Sequence, residues 1–150
     1  MDLGCGNGRL VATIARLHPG LIPVGVEIDP LRADRGCDVL NRASGQLYCA
    51  DIFSSASPWF EGERHQLTIL MVGRLLEADE RARRSLVHRL RSAAHFVLLY
   101  VYADWLGRSE EIERVLGDLF PDATREGACD TGMMTRIWIA NSASAPGPID

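Results

Sequence analysis

The sequence predicts an α/β fold: a doubly wound, mostly parallel sheet of seven strands whose last strand is antiparallel. Short apolar runs of strand length alternate with longer segments in which apolar residues recur at helical spacing. Most of these runs are continuously apolar, which is typical of parallel strands that helices cover on both faces. Two final runs flank Asp130-Thr131-Gly132, a turn sequence that indicates an antiparallel pair.

The apolar runs place the strands. The first strand is short because it leads directly into three alternating glycines, and the second ends in acidic residues. The predicted strands cover residues 1–3, 21–28, 46–50, 67–72, 95–102, 123–129 and 133–140.

Four segments have the periodicity of amphipathic helices. The first ends at Pro19-Gly20, and the second opens at Pro30 with Asp29 as its expected N-cap. Residues 54–64, between the third and fourth strands, are expected to form a loop or a short helix. The predicted helices cover residues 9–18, 30–42, 77–94 and 109–120.

Composition limits the classes of protein to consider. A chain of 150 residues with 47% apolar and 24% charged residues is the size and composition of one globular domain. We assign that domain to residues 1–140 and expect a disordered tail over 141–150, where small residues and prolines dominate. The net charge of −4 argues against a nucleic-acid partner, which would require a basic face.

Localisation and metal binding follow from what the sequence lacks. No apolar run is long enough to cross a membrane and no signal peptide is visible, so we expect a cytoplasmic protein with no membrane partner. The four cysteines form no CxxC pair, and we predict no metal site.

The glycines after the first strand mark a ligand-binding loop. Gly4, Gly6 and Gly8 let the backbone pass close to a ligand, and the following helix adds a partial positive charge. A dinucleotide loop needs the spacing GxGxxG, but Arg9 stands where its third glycine belongs. A nicotinamide dehydrogenase is therefore disfavoured, and no GK[ST] phosphate loop is present.

The same residues resemble a known family. The stretch DLGCGNGRL at residues 2–10 resembles motif I, (D/E)xGxGxG, of the class I S-adenosylmethionine-dependent methyltransferases. VGVEIDP at 24–30 and CADIF at 49–53 resemble that family's second and third motifs. The resemblance covers about residues 1–140 and implies a Rossmann-like methyltransferase fold, with S-adenosyl-L-methionine as cofactor and S-adenosyl-L-homocysteine as product.

The resemblance also implies roles for individual residues. Glu27 matches the acid that accepts hydrogen bonds from the ribose, and Asp51 matches the acid that accepts from the adenine amino group. Asp2 matches the motif I acid that orients the methionine end, directly or through water. The implied cofactor-binding residues are Asp2, Gly4, Cys5, Gly6, Glu27, Ile28, Asp51, Ile52 and Met71.

The methyl acceptor is expected over the ends of the fourth and fifth strands. Glu77 and Asp104 are the candidates there for a general base or an amine-binding group. The aromatic candidates for a pocket wall are Tyr100, Tyr102 and Trp105, although packing in the core is at least as good an explanation of Tyr100 and Tyr102. His65 precedes the fourth strand, at the wrong end of the sheet for catalysis. The (D/N)PP(Y/F) signature of amino-methylating enzymes is absent, which favours a small-molecule acceptor on O or N.

Two alternative functions and one question about the N-terminus stay open. A protein-lysine methyltransferase would need an acidic, aromatic channel at Glu77, Tyr102, Asp104 and Trp105. A non-catalytic cofactor-binding or interaction domain is the alternative of another class. Family members carry helices before the first strand, so we expect either a start upstream of Met1 or a domain without that cover, which a second copy in a homodimer would supply.

Overall fold

The computed structural model describes residues 1–61, 64–125 and 134–141. These residues form a seven-stranded, mostly parallel sheet that is flanked by helices and has an antiparallel last strand, as predicted. The chain divides into two compact units, Met1–Glu61 and Gly62–Asp150, and three of the seven strands belong to the first. The assignment of residues 1–140 to one domain stays a prediction.

The first unit is a βαβαβ arrangement. Its strand order is β3-β2-β1, and all three strands are parallel. A short 3₁₀ helix, Pro58–Phe60, follows β3 and buries Trp59, which is only 1% exposed. The elements are β1 (Asp2–Leu3), α1 (Arg9–Leu17), β2 (Val24–Glu27), α2 (Pro30–Asn41) and β3 (Gln46–Cys49).

Local chemistry sets where the helices and strands of this unit begin. Asp29 caps α2, as predicted: its Oδ1 accepts the N–H groups of Leu31 and Arg32 over 2.9 and 3.3 Å. The second strand is shorter than predicted and begins at Val24, because the preceding residues Leu21 and Ile22 lie exposed in the connection from α1.

The second unit has the strand order β4-β5-β7-β6. β4 and β5 are parallel, and β7 is antiparallel to both β5 and β6. A 3₁₀ helix, Ala103–Arg108, follows β5. The elements are β4 (His65–Met71), α3 (Val72–Glu77), α4 (Glu80–Ala93), β5 (Ala94–Tyr102), α5 (Ser109–Leu119), β6 (Thr124–Arg125) and β7 (Met134–Asn141).

The prediction of one helix over 77–94 was wrong. Glu77 ends α3, and a new helix, α4, begins at Glu80. The break arises because the Asp79 side chain accepts the Ala82 N–H over 2.8 Å, which makes Asp79 an N-cap rather than a residue inside a helix.

The C-terminal predictions are tested only in part. β7 extends to Asn141, where the tail was expected to begin. The predicted turn at Asp130-Thr131-Gly132 and residues 142–150 of the tail lie outside the described residues, as does most of the strand predicted over 123–129.

The arginines of α4 do not all lie on its solvated face. Arg91 is 9% exposed. It donates to Asp122 Oδ1 over 3.0 Å and to the Leu119 carbonyl over 3.2 Å, and its guanidinium lies 5.7 Å from the Phe120 ring centroid. Arg91 therefore links α4 to the end of α5 through hydrogen bonds, so its role is to stabilise the fold.

Candidate functional site

The glycine loop joins β1 to α1 through a backbone that only glycine adopts easily. Gly4, Gly6 and Gly8 have φ angles of 81°, 57° and 70°, all in the left-handed region. The Gly4 and Cys5 N–H groups donate to the Val26 carbonyl over 2.8 and 3.0 Å, which ties the loop to β2. The three glycines are therefore a requirement of this turn.

Gly6 and Gly8 face different surroundings. A Cβ added to Gly8 would lie 3.1 Å from Leu40 Cγ, so Gly8 lets α1 approach α2. A Cβ added to Gly6 would meet nothing within 4 Å. Gly6 therefore presents bare backbone to open space, and a ligand can approach it closely.

Glu27 connects the glycine loop to the end of β2. Glu27 is 5% exposed; its Oε2 accepts the Gly6 N–H over 2.8 Å and its Oε1 accepts the Asp29 N–H over 2.9 Å. A carboxylate has about four acceptor positions, two on each oxygen. The two backbone donors occupy one on each oxygen, so each keeps one further acceptor position. That pair suits a ligand with two adjacent hydroxyl groups.

Asp2 lies in β1 beneath the loop, and its side chain is 2% exposed. Its Oδ1 accepts no hydrogen bond from a described residue, although it is fully buried. Burial raises the pKa of Asp2 to about 6; the Met1 amino group opposes this shift and Glu27 adds to it. A buried carboxylate oxygen without a donor is a place where a ligand, or a water molecule beneath one, would supply the missing hydrogen bond.

Asp51 and Ile52 follow β3, the next strand along. The register pairs Glu27 with Cys49, and the Ala50 N–H donates to the Glu27 carbonyl over 2.9 Å. Asp51 is exposed, and its Oδ1 accepts the Phe53 N–H over 2.9 Å. Ile52 is 7% exposed. The carboxyl ends of three adjacent parallel strands therefore bring the glycine loop, Glu27 and Asp51 to one edge of the first unit.

Two predicted cofactor-binding residues behave differently from each other. Ile28 is 63% exposed beside Glu27, so its side chain is accessible. Cys5 is 8% exposed, its Sγ lies against Gly25, and burial raises the pKa of its thiol to about 12. Because its side chain points inward, Cys5 offers a ligand its backbone and not a reactive thiolate.

The remaining predicted site residues lie in the second unit. Met71 is half-buried at the end of β4. Glu77 is exposed and pairs with Arg74 over 2.8 Å, and Asp104 is exposed in the 3₁₀ helix after β5. His65 begins β4, at the end of the strand opposite Met71.

The segment after β5 contains contacts that the sequence did not reveal. A Cβ on Gly73 would lie 2.8 Å from ring atoms of Trp105, so this ring rests on α3 where a glycine leaves room. The Arg108 guanidinium lies 5.1 Å from the Trp105 ring centroid and makes two hydrogen bonds to Glu111, of 2.7 and 2.9 Å. The only feature of the sequence that pointed to the Trp105 contact was Gly73, a glycine at the start of α3.

Residues 1–61, 64–125 and 134–141 contain neither a metal-ligand cluster nor a helix suited to a membrane. No group of three or more His, Cys, Asp or Glu side chains among them is placed to hold a metal ion. None of the helices in this part of the chain has the length and apolar character that a membrane crossing requires.

No protein-family model and no curated protein sequence matches this chain. Solved structures do. The bifunctional kinase-methyltransferase WbdD is similar over 94% of this chain, with 15% identity and a TM-score of 0.69. The chain spans about a third (34%) of the length of WbdD.

Two smaller proteins are similar over most of their own length. A TehB-like S-adenosylmethionine-dependent methyltransferase from Corynebacterium glutamicum ATCC 13032 matches 93% of this chain and 77% of its own, with 16% identity and a TM-score of 0.61. Magnesium protoporphyrin IX methyltransferase from Synechocystis PCC 6803 was solved with bound S-adenosylmethionine. It matches 93% of this chain and 67% of its own, with 17% identity and a TM-score of 0.61. The chain therefore has the fold of the class I S-adenosylmethionine-dependent methyltransferases.

Proposed function

We propose that this protein is an S-adenosylmethionine-dependent methyltransferase that transfers a methyl group to O or N of a small molecule. The observation that carries the proposal is the Glu27 carboxylate. It is buried at the end of β2, it holds the glycine loop through Gly6, and it keeps one acceptor position on each oxygen. The two ribose hydroxyls of the cofactor are donors of the matching number.

The other residues of the first unit fit the rest of the cofactor. The open space before Gly6 admits it against bare backbone, and the unsatisfied Oδ1 of Asp2 suits its cationic methionine end. Asp51 Oδ2 accepts no hydrogen bond from a described residue and is left for the adenine amino group, with Ile28 and Ile52 as apolar neighbours. The cofactor carries no phosphate, so the absence of a lysine from the loop suits it.

Held by Gly6, Glu27 and Asp51, the cofactor would supply a methyl group on a sulfonium, which is already activated for transfer to the lone pair of an acceptor. The chain then has to align the acceptor with that methyl group and exclude water. Where the acceptor must lose a proton first, Glu77 and Asp104 are our candidates to receive it. A magnesium protoporphyrin IX methyltransferase among the similar structures supports the choice of a small-molecule acceptor.

A protein-lysine acceptor is the second candidate. Glu77, Tyr102 and Asp104 are exposed, as a lysine channel would require. However, Arg74 pairs with Glu77, and Arg108 covers Trp105. Glu77 is thus already paired with a cation and Trp105 is already covered by one, which leaves both less available to a lysine ammonium group, so we favour the small-molecule acceptor.

Turnover of methyl-labelled S-adenosylmethionine tests the proposal. The protein is incubated with panels of small phenols, carboxylic acids and amines, and with lysine-containing peptides, and S-adenosylhomocysteine is quantified. We expect acceptor-dependent product from a small molecule, lost in Glu27→Gln and kept in Asp38→Asn, an exposed acid of α2. Cofactor binding without turnover on any panel would favour the non-catalytic alternative, and turnover on peptides alone would favour the lysine enzyme.

A further inference from the structure

A surface groove in the first unit lies between the C-terminal halves of α1 and α2, away from the glycine loop. Its volume is about 330 Å³. Most of its lining is apolar, and three of the eight lining residues are alanines. The groove is lined by Ala12, Ala15, Arg16, Pro19, Leu21, Val39, Arg42 and Ala43.

Two arginines stand at the rim of this groove. Arg16 lies in the last turn of α1, Arg42 directly follows α2, and both are exposed. Neither makes an ion pair or a side-chain hydrogen bond with any residue in the described ranges. Asp38, one helical turn before Arg42, is exposed and is not within ion-pair distance of it. A cation near each helix end is favourable on its own, but this does not explain an apolar groove between the two cations.

Exposed apolar side chains continue from the groove into the connection before β2. Leu21, which lines the groove, is 38% exposed, and the nearby Leu17 and Ile22 are 67% and 75% exposed. Seven large apolar side chains are exposed in the described part of the chain, and three of them fall within the six residues from Leu17 to Ile22. Such a concentration marks an interaction surface.

We propose that this groove docks an acidic, aliphatic peptide segment of a partner protein. One or two aliphatic side chains of the partner fill the groove, and flanking carboxylates pair with Arg16 and Arg42. An acidic partner is favoured because its carboxylates are complementary in charge to Arg16 and Arg42. The exposed rim selects a peptide over a small ligand, because a small-molecule site encloses most of its ligand.

The site is independent of the proposed methyl transfer. α1 begins next to the glycine loop at Gly8, and the groove lies toward the other end of its nine residues, roughly 10 Å along the helix axis. A peptide in the groove therefore leaves Glu27 and Gly6 accessible. Binding can be measured with no cofactor present.

Selection from a random peptide library displayed on phage tests the partner's chemistry, and fluorescence anisotropy of the selected peptides measures their affinity. We expect selected sequences with Asp or Glu on both sides of Leu, Ile or Val. The double variant Arg16→Gln/Arg42→Gln should bind such a peptide at least tenfold more weakly. Ala12→Leu, which fills part of the groove without changing charge, should weaken it similarly.

The matched control is Arg81→Gln/Arg125→Gln, which removes two exposed arginines of the second unit. It should bind the selected peptides as the wild type does. Selected sequences without acidic residues, or equal binding by both double variants, would overturn the proposal. So would self-association in sedimentation equilibrium that Arg16→Gln/Arg42→Gln abolishes, because the occupant would then be a second copy of this chain.

Discussion

The Glu27 carboxylate accepts the Gly6 N–H over 2.8 Å across 21 residues of sequence. This hydrogen bond joins the end of β2 to the glycine loop, so the acid that we expect to bind the ribose also holds the loop that the cofactor would contact. Glu27 thus has a positioning role in the free protein and a binding role in the complex. In the first role both of its protein partners are N–H donors, one on each carboxylate oxygen.

Substitution of Gly6 should weaken cofactor binding and also lower stability, and the two effects can be measured separately. In Gly6→Ala the new Cβ enters the open space before the loop, so we expect affinity for S-adenosylmethionine to fall at least tenfold. A φ of 57° also strains an L-residue, by about 1 kcal/mol of unfolding free energy. Calorimetric titration and urea unfolding measure the two effects.

The control is Gly20→Ala, because a Cβ there also meets nothing within 4 Å and Gly20 is not among the positive-φ residues. It should leave cofactor affinity unchanged. Equal affinities in Gly6→Ala and the wild type would mean that the cofactor does not approach Gly6.

Asp2 should make stability depend on pH in a defined window. Its folded pKa is raised from 3.8 to about 6, so the folded state binds more protons than the unfolded state between these values. Stability from this group is therefore present below about pH 4 and is lost as pH rises to about 6. The full effect is about 3 kcal/mol for a shift of this size.

The test compares urea unfolding of the wild type and Asp2→Asn from pH 4 to pH 8. The wild type should lose stability relative to Asp2→Asn between pH 4 and 6. Burial lowers the pKa of the Met1 amino group from 8.0 to about 6. Titration of this group therefore increases stability as the pH rises from 6 to 8, a different window from that of Asp2 and a change in the opposite direction. A constant difference between the two proteins over pH 4–6 would contradict the assignment.

Arg91 should be far more important for stability than the exposed arginines of the same helix. Arg91→Met leaves Asp122 and the Leu119 carbonyl without their buried donor, and we expect a loss of about 3 kcal/mol. Arg84→Met is the matched control: it breaks the Arg84–Glu80 pair, whose side chains are 52% and 75% exposed. Its effect should stay below about 0.5 kcal/mol in chemical denaturation.

Gly73→Ala should displace Trp105. The new Cβ would lie 2.8 Å from rigid ring atoms, so the ring has to move and become more exposed, which shifts its fluorescence to longer wavelength. Gly117→Ala in α5 meets nothing within 4 Å and should leave the emission unchanged, with a stability gain of up to about 1 kcal/mol. Identical emission from all three proteins would exclude the contact between Gly73 and Trp105.

Much of this architecture could be predicted because it is encoded locally. Strand and helix periodicities, Pro30 after Asp29, and the alternating glycines each act within a few residues. The break before α4 was also encoded locally, by Asp79 as an N-cap, but the apolar periodicity of residues 77–94 concealed it.

Contacts between distant residues could not be predicted. The partners of Arg91, at the last residue of α5 and just beyond it, lie 28 and 31 residues away. The room that Gly73 leaves for Trp105 depends on how the segment after β5 folds back. The motif indicated that Glu27 matters for a ligand, but not that Gly6 and Asp29 would already occupy part of its carboxylate. Such contacts arise only once the chain has folded.

Calorimetric titration with S-adenosylmethionine tests the central claim most directly, using the wild type, Glu27→Gln and Asp38→Asn, with NAD as a second ligand. The carboxamide of Glu27→Gln keeps the volume but has a single acceptor oxygen for both loop N–H groups and ribose hydroxyls. We expect S-adenosylmethionine to bind the wild type and Asp38→Asn alike, and Glu27→Gln at least tenfold more weakly, which corresponds to about 1.4 kcal/mol. Equal affinity for Glu27→Gln, or binding of NAD in place of S-adenosylmethionine, would contradict the account.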